Sequence, residues 1–315
     1  MNMENMLFGN NDKIYIHFSL LPKVWLDRFD EISRLAREYP EFMPEIPQSK
    51  EQLRRNMPQR YHAGVWRDEW NCIWENITDG CDAICTGHPL PNREDILTLK
   101  IPEMRGGNLP HGFMYLRLLD LRGFEEAMVD FAEECDELQI LIDKVLEYNC
   151  IQMRDLMDKG VRSVHIGDDL GMQNGLAIGP EKWRKYLKPC FKKIFGIAKA
   201  AGATVYFHTD GCIHEIMPDI AECGADIINP QFRANGLDNL VAVCRGKIAI
   251  DLDLDRQMFP FVTPSQLDDH MRNAIEALWT PRGGLSISVE IGHEVPTENI
   301  AALLQAGRRY QYYKG

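Results

Sequence analysis

The chain has 315 residues, of which 45% are hydrophobic and 26% charged, and a formal net charge of −12. Those values are ordinary for a globular protein, and the length suits one large domain or two small ones. An acidic chain without a basic block is a poor partner for nucleic acid or anionic membranes, and no apolar run approaches the roughly 20 residues of a membrane helix.

The N-terminal stretch, Met1 to Lys13, is polar and Asn-rich and has no signal-peptide core. Lys13 to Ser19 predicts a first strand, and Trp25 to Tyr39 a helix from the spacing of Trp25, Phe29, Ile32 and Leu35. Phe42 to Ile46 reads as a second strand, although Pro44 lacks the N–H a ladder needs. Glu51 to Pro58 is polar and helical. Trp66, Trp70 and Trp74 suggest a hairpin with an aromatic face, inserted near the N-terminus as packing or as a flap over a pocket. Their spacing of four also suits a helix. Gly112 to Leu118 predicts a third strand, followed by helices at Gly123 to Cys135 and Asp136 to Lys159. Ser163 to Gly167 is a strand, and Gly179-Pro180-Glu181 opens a long helix to Ala201.

From there the alternation is regular. Strand Thr204 to His208 precedes helix Ile213 to Cys223, and strand Asp226 to Asn229 precedes helix Leu237 to Cys244. Strand Lys247 to Asp251 precedes helix Thr263 to Trp279, and strand Leu285 to Val289 precedes helix Thr297 to Tyr310. Alternating strands and helices imply β-α-β units and a parallel sheet. Eight such units suit a closed α/β barrel, a (β/α)₈ TIM barrel, spanning 1–315 as a single domain. An open doubly wound sheet would carry a Gly-rich phosphate loop after its first strand, and none is present. The nine cysteines are dispersed, with only Cys81 and Cys85 close together, which suggests reduced thiols in a cytoplasm.

In such a barrel chemistry sits at the C-terminal ends of the strands. Those ends collect Asp168 and Asp169; His208 and Asp210; Asn229 and Gln231; Asp251, Asp253 and Gln257; and Glu290 with His293 and Glu294. Several acids and two imidazoles around one cavity either raise carboxyl pKa values or hold a cation. His208 and Asp210 with Glu290 or His293 would make a three-ligand set with an open position, the arrangement of catalytic zinc. Cys212 is a candidate soft ligand in the first turn of the next helix. The donors suit zinc, manganese or iron, and equally a site with no metal.

Several stretches together resemble the uroporphyrinogen decarboxylase superfamily, and more narrowly its cobalamin-dependent methyltransferases. They are Asp68-Glu69-Trp70 with Trp74; His88-Pro89-Leu90; Gly167-Asp168-Asp169-Leu170-Gly171 with Gln173; and His208-Thr209-Asp210-Gly211. Gly224 to Gln231, Asp253 to Gln257 and Gly292-His293-Glu294-Val295-Pro296 continue the pattern. The resemblance implies a barrel with its site at the C-terminal mouth, and zinc on a His-x-Cys pair plus a later Cys. Here His208 matches the family histidine, Asp210 stands at the first Cys, and His293 falls near the later one with Glu290 close by. The Arg-rich N-terminal motif of true uroporphyrinogen decarboxylases is not found.

The leading expectation is therefore a metal-assisted enzyme that moves a methyl group between methyl-cobalamin on a corrinoid partner protein and a small acceptor. His208, Asp210, Glu290 and His293 would serve the metal, and Asp168, Asp169, His208 and Asp210 the chemistry. Gln173, Asn229, Gln231, Asp251, Asp253 and Gln257 would contact substrate. A metal-free lyase acting on a small acid is the second expectation. A non-catalytic barrel that docks a corrinoid protein is the third.

Overall fold

A computed structural model of the chain describes residues 3–9, 12–104 and 106–315. Part of the polar N-terminal stretch (residues 1, 2, 10 and 11) lies outside the described residues. The strands are β1 (Tyr15–Leu20), β2 (Gly64–Arg67), β3 (Ile73–Asn76), β4 (Ile84–Gly87), β5 (Ser163–Gly167), β6 (Gly171–Met172), β7 (Gly175–Leu176), β8 (Thr204–Thr209), β9 (Ile227–Pro230), β10 (Ala249–Asp253) and β11 (Leu285–Ile291). The helices are α1 (Pro22–Glu38), α2 (Lys50–Asn56), α3 (Arg93–Thr98), α4 (Tyr115–Arg122), α5 (Phe124–Glu133), α6 (Asp136–Asp158), α7 (Gly179–Lys182), α8 (Lys188–Ala200), α9 (Met217–Cys223), α10 (Phe232–Asn235), α11 (Leu237–Cys244), α12 (Pro264–Leu278) and α13 (Thr297–Tyr310). None of them is long and apolar enough to cross a membrane.

The chain forms two compact units. Unit 1 holds Arg67–Ile73 and Cys85–Asn235, and unit 2 the rest of the described residues. In unit 1, β5 pairs with β8 and β8 with β9, all parallel, in a register that sets Gly167 beside His208 and His208 beside Asn229. The middle of β8 is apolar and buried (Val205, Tyr206, Phe207), as a strand covered on both faces must be. Its Phe207 joins a ring cluster with Phe113, Phe191 and Phe195, at centroid separations of 5.4 to 6.5 Å. In unit 2, β1 and β10 flank β11, again parallel. All five residues of β10 are buried. Helix α12 begins with a capping box between Thr263 and Gln266, and the buried Asn299 of α13 donates to the carbonyls of Phe259 and Val262.

Six of the eight expected parallel strands form, three in each unit. The other two do not form as strands, so the parallel sheet has six strands among the described residues. Phe42 to Ile46 is irregular, as expected around a proline that cannot donate to a ladder. Gly112 to Leu118 becomes a loop and then α4. The reason is tertiary: the carboxylate of Asp168 accepts hydrogen bonds from the N–H groups of Tyr115 (2.5 Å) and Leu116 (2.9 Å) and so fixes a helix start there. The buried positions Met114, Leu118 and Leu121 then follow helical spacing.

The tryptophan segment is a strand, turn and strand, β2 and β3, and not a helix. Its turn is held by Asp68, whose Oδ1 accepts from the N–H groups of Trp70 and Cys72, both at 2.9 Å. The helix expected from Gly179 to Ala201 contains a π turn over Trp183–Leu187. It ends two residues before Pro189, whose missing N–H and bulky ring break the regular ladder.

Candidate active site

Three strand ends of unit 1 converge through their loops. Asp168 N donates to His208 O (3.0 Å), Gly171 N to Asp210 O (3.1 Å) and Cys212 N to Met172 O (2.8 Å), so the loops after β5 and β8 are laced together. The contact requires glycine: a Cβ on Gly211 would lie 2.1 Å from the Gly171 backbone, and Gly211 itself has φ of +85°. The β9 end locks the pair from the other side. Gln231 Oε1 accepts from Gly211 N (2.9 Å), and the buried Asn235 bridges Ile213 N and Gly211 O (2.8 and 3.1 Å).

On this base sit two imidazoles and two carboxylates. Asp169 Oδ2 lies 3.0 Å from His111 Nε2, and Asp169 Oδ1 accepts from Asp210 N at 3.0 Å. His208 Nε2 lies 3.3 Å from Asp210 Oδ1 and 3.6 Å from Asp169 Oδ1. The other ring nitrogen of His208, Nδ1, is 2.5 Å from Asn229 Oδ1, an acceptor, so Nδ1 carries a proton in either charge state of the ring. His111 enters from the loop before α4, anchored by Gly112 N donating to Gly167 O at 2.8 Å. It lies so close over the end of β5 that a Cβ on Gly167 would sit 2.7 Å from its Nδ1.

The charges follow from this geometry. Burial opposes ionisation of Asp169, but the hydrogen bond and charge of His111, with the charge of His208, outweigh it and hold the carboxyl below its usual range. Burial likewise works against charging His208. The hydrogen bond and charge of Asp210, then Asp169 and the Asn229 carbonyl, prevail, and its pKa is pushed up to about 9. Asp168 is different: fully buried, its carboxyl is pushed up to about 7 by burial, against the two backbone N–H groups that favour the anion.

One His111 nitrogen, one Asp169 oxygen and one His208 nitrogen lie within 4.8 Å of one another, close enough that the three could hold one metal ion. Two imidazoles and a carboxylate, one imidazole oriented by an outer amide, are a donor set that divalent zinc accepts. Asp169, His208 and Asp210 are sequence-expected residues that unit 1 brings together; His111 is one that sequence reasoning missed. It comes from a loop and not a strand end, and nothing around it except Pro110 and Gly112 marks a special position.

The other expected residues have the following places. Asn229 orients His208, and Gln231 braces Gly211. Gln173 is exposed in the tight turn between β6 and β7. Cys212 Sγ lies 3.4 Å from His214 Nδ1. In unit 2, Asp251 is buried and bonded to His17 Nε2 at 2.7 Å, a pairing the sequence reading did not foresee. Asp253 is buried, with its carboxylate 3.8 Å from the Arg256 guanidinium. Glu290 is ion-paired with Arg256, and His293 with Glu294 at 3.5 Å. These four, with Lys23 and the exposed Gln257, line a cavity of about 330 Å³ within unit 2.

Parallel β/α units whose strand ends carry acids and imidazoles define a class of barrel-type enzymes. Within that class the chain belongs to the uroporphyrinogen decarboxylase family, whose model matches residues 118–310, well over half of its length. Among solved structures it is similar to a methyltransferase from Methanosarcina mazei over 97% of each chain, with a TM-score of 0.64 and 17% identity, which shows a shared fold. A B12-independent methionine synthase from Shewanella sp., in complex with selenomethionine, aligns over 87% of this chain and 83% of that one, with a TM-score of 0.43 and 12% identity. No curated protein matches the chain.

Proposed function

We propose that the whole chain acts as one methyltransferase, moving a methyl group between a methyl-cobalamin-carrying corrinoid protein and a small acceptor, with a divalent metal at His111, Asp169 and His208. The observation that carries this reading is the convergence of those three donors at the strand ends of unit 1. Family membership and the shared fold support it.

Zinc in such a site would act as a Lewis acid that lowers the pKa of a bound acceptor. The chain's own residues do the rest. Asn229 fixes the His208 ring so that Nε2 faces Asp169, and Asp210, 3.3 Å from that nitrogen, is placed to exchange a proton with an acceptor. Asp168 holds α4 in place beside this group. Relative to a thiolate set, this harder set leaves more positive charge on a metal and favours a nitrogen or oxygen acceptor over a thiol. Glu290 and His293 are assigned instead to ligand contact in the unit 2 cavity.

The test is metal analysis of the pure protein together with His208→Ala and His111→Ala. About one divalent ion per chain is expected, lost in both variants, with methyl-cobalamin turnover falling by roughly 100-fold or more. No bound ion in the wild type, with turnover unchanged in His208→Ala, refutes the proposal.

One observation favours a second reading. Lys23, Arg256 and His293 line the unit 2 cavity, and a small acid, as a metal-free lyase would require, could exchange for the Asp27, Glu290 and Glu294 carboxylates they now hold. Carbon dioxide release that a chelator leaves unchanged would select it.

A further inference from the structure

Away from the imidazole cluster, unit 1 contains a second reactive group that the proposed methyl transfer does not use. Cys72 leads into β3 and Cys85 lies in β4, and both thiols gather around one backbone oxygen. Cys72 Sγ is 3.4 Å from the Asp120 carbonyl and Cys85 Sγ is 3.8 Å from the same atom. The two sulfurs thus share one acceptor, which brings them to the same point between β3 and β4. A guanidinium nitrogen of Arg117 lies 3.7 Å from Cys72 Sγ, and His88 Nδ1 lies 3.8 Å from Cys85 Sγ while donating to the Asp120 carbonyl at 2.8 Å. Cys72 is fully buried and Cys85 is half-buried, so only one of the pair meets solvent.

We propose that Cys72 and Cys85 are a redox-active dithiol, oxidised by a peroxide to an intramolecular disulfide, with Cys85 as the attacking sulfur and Cys72 as the resolving one. The hydrogen bond from Cys72 holds the Cys85 thiol below its usual range, against burial, and the thiolate is the nucleophile. Its sulfur attacks one peroxide oxygen. The O–O bond breaks, hydroxide leaves and is protonated to water, and Cys85 becomes a sulfenic acid. The Cys72 sulfur then attacks the Cys85 sulfur. The S–O bond breaks, and the departing hydroxide takes up the Cys72 proton as a second water. Two thiols lose two electrons and one peroxide gains them.

The neighbouring Cys85, burial and the Asp68 charge keep the Cys72 thiol above its usual range, so it attacks as the thiol, with the Arg117 guanidinium 3.7 Å from its sulfur. Oxidation also withdraws both sulfurs from the Asp120 carbonyl, which belongs to α4, the helix whose first turn Asp168 holds beside the imidazole cluster. The reaction does not depend on the methyltransferase reading, and neither does its test.

The full chain, reduced and then treated with about one equivalent of hydrogen peroxide, is expected to fall from nine free thiols to seven. Dithiothreitol should restore nine, and peptide mapping should show a Cys72–Cys85 cross-link. Cys85→Ser should keep all its remaining thiols under the same dose. Cys72→Ser should trap a dimedone-reactive sulfenic acid on Cys85. The wild-type map and the half-exposed Cys85 variant do not require the Cys72 variant to fold. A cross-link between any other pair, including the sequence neighbours Cys81 and Cys85, overturns the proposal. So does a Cys85 that passes to sulfinic acid while Cys72 stays a thiol.

Discussion

Asn229 shows how much one buried amide controls. Its Oδ1 accepts from His208 Nδ1, which holds a proton there and aims Nε2 at Asp169 and Asp210. Replacing it with Leu frees the ring to turn. Metal affinity, measured by competition with a chromogenic chelator, should fall about 10- to 100-fold while the fold persists. Gly167 acts through space and not through charge. Gly167→Ala would put a methyl carbon 2.7 Å from His111 Nδ1 and displace that ring. Metal binding should weaken by a similar factor with little change in melting temperature. A melting temperature that collapses while affinity is kept would contradict this account.

At the scale of elements, α4 exists because Asp168 reaches it. The fully buried carboxylate caps two N–H groups, and Asp168→Ala leaves both without a partner. A cost of about 2–5 kcal/mol follows from the price of unmade buried hydrogen bonds. Urea unfolding measures it, and a loss below about 1 kcal/mol would mean that water replaces the carboxylate. The two laced loops are tested by Gly211→Ala. Its Cβ would collide with the Gly171 backbone at 2.1 Å and a side chain would be strained at φ of +85°. Destabilisation of about 2 kcal/mol or more is expected in the same assay.

For the molecule as a whole, pH dependence runs against the usual acid-denaturation pattern at Asp120, as it does at the raised Asp168. Asp120 is mostly buried, and burial pushes its carboxyl up to about 6, with the Arg117 charge only partly offsetting it. A carboxyl raised in the folded state binds its proton more tightly there than in the unfolded chain. Its contribution is therefore fully present below about pH 4 and is lost as pH rises through about 6. Relative to Asp120→Asn, the wild type should lose up to about 3 kcal/mol between pH 4 and pH 7, read from urea unfolding across that range. A difference that grows in the opposite direction would show that Arg117 dominates the site.

Much of this architecture was legible in the chain itself. The buried runs at Thr204–Thr209 and Ala249–Asp253 and the periodic helices α11 and α13 match their predicted positions within a residue or two. There, local pattern and tertiary burial demand the same structure. Asp169, His208 and Asp210 were legible for a related reason: strands that end in polar residues place them at one edge of a parallel sheet. Tertiary structure decided what local pattern leaves degenerate. The apolar run at Gly112 to Leu118 fits a strand or a helix equally, and a carboxylate 52 residues away in sequence, on Asp168, settles it by capping Leu116. His111 joins the imidazole cluster, and the Cys72 and Cys85 thiols meet at the Asp120 carbonyl, because contacts between loops and strands distant in sequence carry no periodic trace. Spacing along a chain reports which face a side chain takes; only packing reports what it meets there.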